Sequence, residues 1–434
     1  YGKDVDPSWL QYIECHATST QVGDSTELAA LTMALKPRLP EGMKLPIGSV
    51  KANIGHTLES AGIAGFVKSV LAMQNRTIPG QINFNTPNPD VDWKNIPFQV
   101  QTESTPWPEP APGRPRRCAV NAFGIGGLNV HVVMDDQPTE SLKTQIRNLG
   151  VPGAAPRVKM DADDRAIAIV GASALLPGAL TLNAFWDLLV SGRDPKTETP
   201  ATRWNPAIYY APGTRSTRRS RNKTGGYVTD FVYDWKKHKV APKQIANANP
   251  LQFMLLDAAD QALRDAGYDK RDFDHQRTAA VVGSVFGGDF ACDLQMGLRI
   301  PEYQAYLRKE LQERGIPAGD LEQIVAGYQD LLLKHMPAML DETGSFTAST
   351  LASRLTKTFD LMGGAFSIDA GDTSSMAAIS SAIGMLLDQS VDMVLCASGQ
   401  RSMDLNVYEG FQLRDALASG KTQPAFSKSM DGVV

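Results

Sequence analysis

Two histidines occupy matching positions, each where a short apolar run gives way to a loop of small and polar residues. His16 stands in the run Glu-Cys-His-Ala-Thr-Ser-Thr, and His56 stands in Lys-Ala-Asn-Ile-Gly-His-Thr, a run that begins at Lys51. An imidazole N–H can donate a hydrogen bond near pH 7 whether the ring is neutral or charged. Two such donors in a site that excludes water can stabilise an oxyanion. A single loop histidine would usually be structural, but this pair together with Lys51 favours chemistry.

A third segment with chemical potential is Ser-Ile-Asp-Ala-Gly-Asp-Thr-Ser-Ser at 367–375. We expect a strand at 365–368 and a helix that starts after Asp372. The positive end of a helix dipole favours a carboxylate, and aspartate is a good N-cap residue. The sequence therefore predicts Asp372 at the N-terminus of a helix.

Composition is that of a globular protein with a large core. The 434 residues include 43 basic and 47 acidic ones, for a net charge of -4, which argues against a general nucleic-acid or membrane-surface binder. The four cysteines, Cys15, Cys118, Cys292 and Cys396, are scattered without a CxxC pair, so we expect a reducing compartment, the cytoplasm. We interpret Cys15 and Cys396 as small core residues. No apolar run has membrane-spanning length, and the first residues lack the pattern of an export signal.

Short apolar runs alternate with helical patterns, which predicts an α/β fold. A polar segment rich in proline, glycine and aspartate predicts a linker at 136–164 between two pieces, 1–135 and 165–434. Strands are expected at 10–15, 47–50, 166–173, 279–282, 365–368 and 391–397, with a strand, glycine turn and strand at 119–133. Helices are expected at 184–190 and 250–267, from about 347 and after 372, and mostly helical structure at 294–342.

Two helices should flank the histidine loops. One is expected to begin near Asp24, with Glu27 three residues later completing a capping box. The other follows His56, and its first turns carry Gly62, Ala64 and Gly65. Such small side chains would let this helix approach a neighbouring element closely.

These motifs resemble those of β-ketoacyl synthases. Within residues 1–135, the run 16–20 matches the HGTGT loop of the C-terminal half of that family, 51–62 matches its KxNIGHT loop, and 123–131 matches its GFGGTNAH ending. Residues 165–434 resemble the N-terminal half of a second unit, from the opening IAIVG run through the nucleophile turn to a PFDxxxDG-like segment at 426–432. Three motifs in family order make the resemblance specific. It implies a thiolase-like fold with βαβαβαββ halves, present here as two incomplete units joined by a linker.

The implied arrangement is a ketosynthase joined to a unit that resembles a chain length factor, as in polyunsaturated fatty acid synthases and iterative polyketide synthases. We therefore expect the chain to be a segment of a larger protein. Asp372 stands where the family carries its cysteine nucleophile, and a carboxylate cannot hold an acyl group as a stable thioester. The resemblance thus implies a second unit that shapes the acyl tunnel without itself being acylated.

The implied reaction is decarboxylative Claisen condensation of acyl and malonyl thioesters. In it His16 and His56 stabilise the enolate and Lys51 organises the His56 loop. Substrate-binding positions carried over by the motifs are Thr18 and Thr20 at the phosphopantetheine arm, Phe123 as the gate of the acyl pocket, and Asn129. No bound cofactor is expected, because an acyl carrier protein supplies the arm. Further expected partners are the remainder of the polypeptide and a second ketosynthase-like unit in a dimer.

Besides Asp372, the chain departs from the family pattern at three positions. Ala17 and Ser19 replace glycines of the first histidine loop, which restricts the backbone there. Leu58 stands where relatives often carry glutamate, with Glu59 one position later. Each half alone would also leave apolar surface uncovered.

Two alternative functions remain open. The first is a non-catalytic scaffold of a synthase. The second is a degradative thiolase, which the two-histidine pattern disfavours because thiolases use a second cysteine.

Other residues have plainer interpretations. His131 is interpreted as structural, and His238, His275 and His335 lack the spacing of metal ligands, so no metal site is expected. The glycines at 124–127 lack the spacing of a dinucleotide site. The basic tract 215–223 is interpreted as a solvated loop, with docking of an acidic carrier protein through Arg218, Arg219 and Arg221 as the minority hypothesis.

Overall fold

The computed structural model describes residues 5–123, 129–137, 166–246, 248–285, 292, 295–335, 348–400, 403–421, 425–428 and 431–433. The strands of its first part are β1 Leu10–Glu14, β2 Leu45–Gly48, β3 Thr77–Ile78, β4 Phe98–Val100, β5 Thr105–Pro106, β6 Arg117–Phe123 and β7 Asn129–Asp135. Five of them form a sheet in the order β4-β2-β1-β6-β7, parallel except for the β6–β7 pair. Central strands β1 and β6 are buried along nearly their whole length, as expected for a sheet covered on both faces.

Helices in this part are α1 Gln21–Leu35, α2 Lys51–Ile54 and α3 Ala61–Gln74. The second part contributes α4 Leu182–Val190, β8 Thr197–Glu198, α5 Pro206–Tyr209, β9 Thr224–Gly225, α6 Pro242–Ala246, α7 Leu251–Asp265, β10 Thr278–Gly283, α8 Ile300–Glu313, α9 Ala318–His335, α10 Ser349–Phe359, β11 Ala365–Ile368, α11 Ser374–Leu387, β12 Met393–Ser398 and α12 Leu405–Leu413. Strands β11, β10 and β12 form a parallel sheet in that order.

The two parts pack against each other through α3 and α11. A Cβ atom added at Gly62 would lie 2.3 Å from Cγ of Met376, so only glycine permits this approach. Close by, the backbone N–H of Ile63 donates to Oγ of Ser375 at 3.2 Å. Met376 joins a buried core with side chains of β1 and β6, and α4 joins another with α2 and α3. Part of the apolar surface that each half would expose alone is therefore covered by the other half.

Most predicted elements are confirmed within a few residues, but the predicted buried strand at 166–173 is wrong. Ile169 and Val170 are 48% and 50% exposed, and the segment has no strand assignment. A strand needs a neighbouring strand to pair its backbone groups. Here the backbone N–H of Ala172 instead donates to the side chain of Asp265, at the end of α7.

Two further boundaries differ from the prediction. Helix α1 begins at Gln21 rather than near Asp24, with Thr20 as its N-cap residue, so the predicted capping box does not form. Strand β2 ends at Gly48, where a strand at 47–50 was expected, because Ala52, Asn53 and Ile54 already close the first turn of α2 onto Ser49 and Val50.

Some predicted features lie outside the described residues. These are nearly all of the linker 136–164, the glycine turn at 124–127, the side chain of His335 and the last part of the helical region 294–342. Of the helices that the structure describes, none combines the length and apolarity needed to cross a membrane.

Candidate active site

The loop that carries His16 is fixed by one buried carboxylate of α1. Glu27 accepts hydrogen bonds from the backbone N–H groups of His16 and Ala17, both at 2.9 Å, and from Nδ2 of Asn121 at 2.8 Å. Burial raises the pKa of Glu27, while these three donors lower it. The carboxylate expected to cap a helix therefore holds the histidine loop.

The two residues that replace glycines in this loop adopt left-handed backbone conformations, with φ of 28° at Ala17 and 61° at Ser19. Such conformations cost residues with a Cβ about 1 kcal/mol or more each. The N–H of Ser19 donates to Oδ1 of Asp24 at 3.1 Å, which helps to hold the strained loop. Leu58, beside His56, has a φ of 38°.

His56 follows the short helix α2 and Gly55, whose φ is 81°. The backbone N–H of Leu58 donates to Nδ1 of His56 at 3.1 Å. Because Nδ1 accepts this bond, the proton of the neutral ring lies on Nε2. The loop thus presents Nε2–H of His56 as a donor.

The structure brings the two histidines and Phe123 together. The ring centroids of His16 and His56 are 5.6 Å apart at an interplanar angle of 81°, and that of Phe123 is 5.4 Å from His16. Among the described residues, buried Nδ1 of His16 has no hydrogen-bond partner. An unpaired buried polar atom is costly, and a hydrogen bond to a ligand would remove that cost here.

Both imidazoles are held neutral near pH 7. Burial, and secondly the positive charge of Lys51, lower the pKa of His16 and of His56 well below the usual value. Lys51 is itself buried, which lowers its pKa, while the charges of Glu14, Glu27 and Asp372 raise it. Two neutral rings beside a buried cation form an environment suited to a developing negative charge.

Asp372 lies at the same place: its Oδ2 is 3.8 Å from Nε2 of His56. Burial raises the pKa of Asp372, and Lys51 and Arg414 partly counteract this effect. The predicted position of Asp372 at the N-terminus of a helix is confirmed within one residue, with Thr373 rather than Asp372 as the N-cap residue of α11. The turn is closed by Ser374, whose Oγ accepts from the N–H of Ala370 and donates to the carbonyl of Gly371.

The remaining residues of the motifs lie around this centre or at its edge. Oγ1 of Thr18 and Oγ1 of Thr20 are 3.2 Å apart in the His16 loop. Asn129 is exposed on β7, where it pairs with Phe123. Nδ1 of His131 lies 2.6 Å from Oδ1 of Asn121, the residue that bonds Glu27, so this histidine supports the loop indirectly.

One buried ion pair was not found from the sequence. Glu14, at the end of β1, accepts from the N–H of Val50 at 2.5 Å, from the hydroxyl of Tyr12 at 2.7 Å and from Nζ of Lys68 at 2.7 Å. It therefore ties β1 to α3 and to the residue that precedes Lys51. Its signal in the sequence is a charged residue at the end of an otherwise apolar strand, matched by Lys68 in an apolar helix.

Two cysteines have thiols that burial keeps protonated. Cys15 is buried in the core beneath the His16 loop, and burial raises the pKa of its thiol strongly. Burial raises the pKa of the Cys396 thiol to about 12.

Two arginines of the basic tract 215–223 form hydrogen bonds within the protein. Arg219 donates to the carbonyl of Ile208, and Arg221 donates to the carbonyl of Leu417. In the part of the chain that the structure describes, no cluster of histidine, cysteine and carboxylate side chains could hold a metal ion.

Comparison with protein families agrees with these motifs. A profile of the β-ketoacyl synthase N-terminal domain matches residues 164–434, more than half of the chain. The chain belongs to the β-ketoacyl synthase family. Profiles of the C-terminal domain and of the ketoacyl-synthetase C-terminal extension match residues 2–85 and 87–160. The resemblance and the α/β fold class are thereby confirmed, and the family assigns the thiolase-like fold.

The relatives of this chain are large synthases, and the chain spans only a small share of their length. A polyunsaturated fatty acid synthase polypeptide of Thraustochytrium is 27% identical over 378 residues, which are 86% of this chain and 16% of that protein. A phenolphthiocerol/phthiocerol polyketide synthase polypeptide of Mycobacterium tuberculosis is 42% identical over 155 residues, 34% of this chain and 8% of that protein. Among solved structures, the ketosynthase from module 6 of the bacillaene synthase of Bacillus subtilis is 40% identical, covers 31% of this chain and 24% of that chain, and has a TM-score of 0.30.

Proposed function

We propose that this protein acts within a larger synthase as a β-ketoacyl-[acyl-carrier-protein] synthase with a partner unit that resembles a chain length factor. It joins acyl and malonyl thioesters by decarboxylative Claisen condensation in fatty acid or polyketide synthesis, with a polyunsaturated fatty acid as the product. The observation that carries the proposal is the neutral histidine pair, with ring centroids 5.6 Å apart beside buried Lys51.

The geometry suits the decarboxylation half of this reaction. When the bond between the malonyl carboxylate carbon and the α-carbon breaks, carbon dioxide leaves. The electron pair of that bond stays with the α-carbon, and the remaining thioester becomes an enolate. The negative charge then lies on the former thioester oxygen, where Nε2–H of His56 and an N–H of His16 donate to it. Because both rings are neutral, they stabilise this charge by hydrogen bonds without protonating the carbon.

The condensation half needs an acyl thioester on cysteine. The enolate carbon attacks the thioester carbonyl, the new carbon–carbon bond forms, and the cysteine leaves as thiolate. Asp372 cannot carry that acyl group, so the acylated cysteine belongs to another part of the synthase and residues 165–434 have a shaping role. Residues 1–135 supply the histidines, and 136–164 join the two units.

The proposal includes the partners expected from the sequence. An acyl carrier protein delivers its phosphopantetheine arm past Thr18, Thr20, Phe123 and Asn129. The remainder of the polypeptide and a second ketosynthase-like unit complete the assembly in the cytoplasm.

The test is to compare His16→Ala and His56→Ala in the intact synthase with His275→Ala as the control. His275 is a partly exposed histidine that bonds Asp272 and the carbonyl of Phe359. Carbon dioxide release from malonyl carrier protein should fall by about a hundredfold or more in both site variants, because each removes a donor to the enolate. It should be unchanged in the control.

The same assay separates the alternatives. Normal product formation without His16 and His56 would favour a scaffold. Cleavage of β-ketoacyl coenzyme A without carbon dioxide release would favour a thiolase.

A second variant tests the role of the Asp372 unit. Under the proposal Asp372→Cys gains little acyl loading, measured by mass spectrometry of the intact variant after incubation with an acyl thioester. Loading as complete as that of the ketosynthase cysteine would contradict a purely architectural unit.

A further inference from the structure

A lysine of the second part reaches the loop that carries His56. Lys196 lies between α4 and β8, and its side chain is fully buried. Its ammonium donates to the carbonyl oxygens of Ala52 at 2.8 Å and Asn53 at 3.4 Å, and it lies 3.1 Å from Oδ1 of Asp194. Lysine is almost never fully buried unless it is paired, so these contacts justify its position.

The carbonyls that Lys196 binds belong to the second and third of the four residues of α2, and only Ile54 and Gly55 separate them from His56. The last carbonyls of a helix lack partners within the helix and carry its negative dipole, so a cation stabilises them. Ala52 also accepts from Nδ2 of Asn83 at 3.2 Å.

Other backbone groups of the second part contact the same short helix. Nδ2 of Asn53 donates to the carbonyl of Arg193 at 3.4 Å. A Cβ atom added at Gly226 would lie 2.0 Å from the carbonyl oxygen of Ile54, so the two backbones are in direct contact there. Residues 193–196 and 226 therefore enclose the end of α2 from the side of the second part.

We propose that Lys196 is a positioning residue for His56: by binding the carbonyls of Ala52 and Asn53, it sets the end of α2 and thereby the direction of the imidazole. The second part thus contributes to the chemistry of the histidine site although its own nucleophile position holds Asp372. This inference rests on the proposed function, since it gives the second part a role in decarboxylation.

The experiment compares Lys196→Ala with Lys223→Ala, since Lys223 directly precedes β9 and its ammonium bonds Glu198 of β8 rather than α2. Backbone hydrogen–deuterium exchange of residues 51–60 should become at least about tenfold faster in Lys196→Ala and stay unchanged in Lys223→Ala. Carbon dioxide release should show a kcat lowered by about tenfold with little change in KM, since a misplaced catalytic group slows the chemical step. Unchanged exchange at 51–60 would overturn the proposal.

Chemical rescue separates positioning from a general packing defect. Lys196→Ala removes three carbons and the ammonium, so propylamine fits the space and 1-propanol lacks the charge. We expect propylamine to slow the exchange of residues 51–60 in Lys196→Ala and to restore its kcat. We expect neither effect from 1-propanol. Equal effects of the two compounds would contradict a role for the cation.

If Lys196→Ala does not fold, the milder variant Asp194→Asn replaces it in the exchange experiment. It leaves the lysine in place but removes its carboxylate, and a smaller acceleration of exchange at 51–60 is expected. No acceleration in this variant would overturn the proposal. Should the unmodified protein release no carbon dioxide, the proposed function fails, whereas the exchange measurements still decide the role of Lys196.

Discussion

The two loops that meet at the candidate site are held in different ways. In the His16 loop, Glu27 and Asp24 of α1 accept hydrogen bonds from the backbone N–H groups of His16, Ala17 and Ser19. The Asp372 turn is closed by its own neighbours Thr373 and Ser374, and its carboxylate faces His56 instead. Buried carboxylates are therefore structural acceptors in the first loop, whereas the partly buried carboxylate of the second loop makes no hydrogen bond that closes the turn.

The largest effect should come from Glu27→Ala. This change leaves the N–H groups of His16 and Ala17 and the amide of Asn121 without their acceptor in a buried place. At about 1–3 kcal/mol for each unsatisfied group, the free energy of unfolding should fall by at least about 3 kcal/mol. Urea unfolding measures it, and Glu41→Ala, at an exposed position, should change stability by less than about 0.5 kcal/mol. Equal effects of the two variants would contradict the structural role of Glu27.

A smaller effect is expected from the pH dependence of Asp24. Burial raises its pKa from 3.8 to about 7, although the N–H groups of Phe426 and Ser19 donate to it. Between these values the folded state binds a proton that the unfolded state has lost, so stability is highest at low pH and falls as pH rises through this window. The slope from this one group is at most about 1.4 kcal/mol per pH unit.

Asp24→Asn should remove that part of the slope. Urea unfolding at intervals between pH 4.5 and 8 gives the difference between the two proteins, which should vary with pH up to about 7 and then level off. Parallel stability curves would show that Asp24 does not titrate in this range.

The sequence predicts the loops of the candidate site better than it predicts the residues that hold these loops in place. Both histidine loops and the nucleophile turn are recognisable from their own residues, because each is a contiguous motif. The partners that hold them are not, since Asn121 reaches Glu27 and Lys196 reaches α2 from distant parts of the chain. Sequence patterns assigned Glu27 a local capping role because they contain no information on which distant donors come near it.

The same reason explains the wrong strand at 166–173. Its apolar residues fit a buried strand, but pattern alone does not say whether a neighbouring strand is present to pair with it. The small residues of α3, by contrast, correctly indicated a close contact, because only a glycine at position 62 leaves room for Met376.

The smallest predicted effect concerns Asp372 and sharpens the contrast with Glu27. Burial raises the pKa of Asp372 above its value in the unfolded chain, so ionisation costs stability as pH rises above about 4. Asp372→Asn removes this cost, so the free energy of unfolding at pH 8 should increase. Asp369→Asn is the matched control, because its exposed carboxylate lies in the same turn and accepts from the N–H of Gly371. Destabilisation by Asp372→Asn as large as that by Glu27→Ala would mean that both loops depend on their carboxylates in the same way.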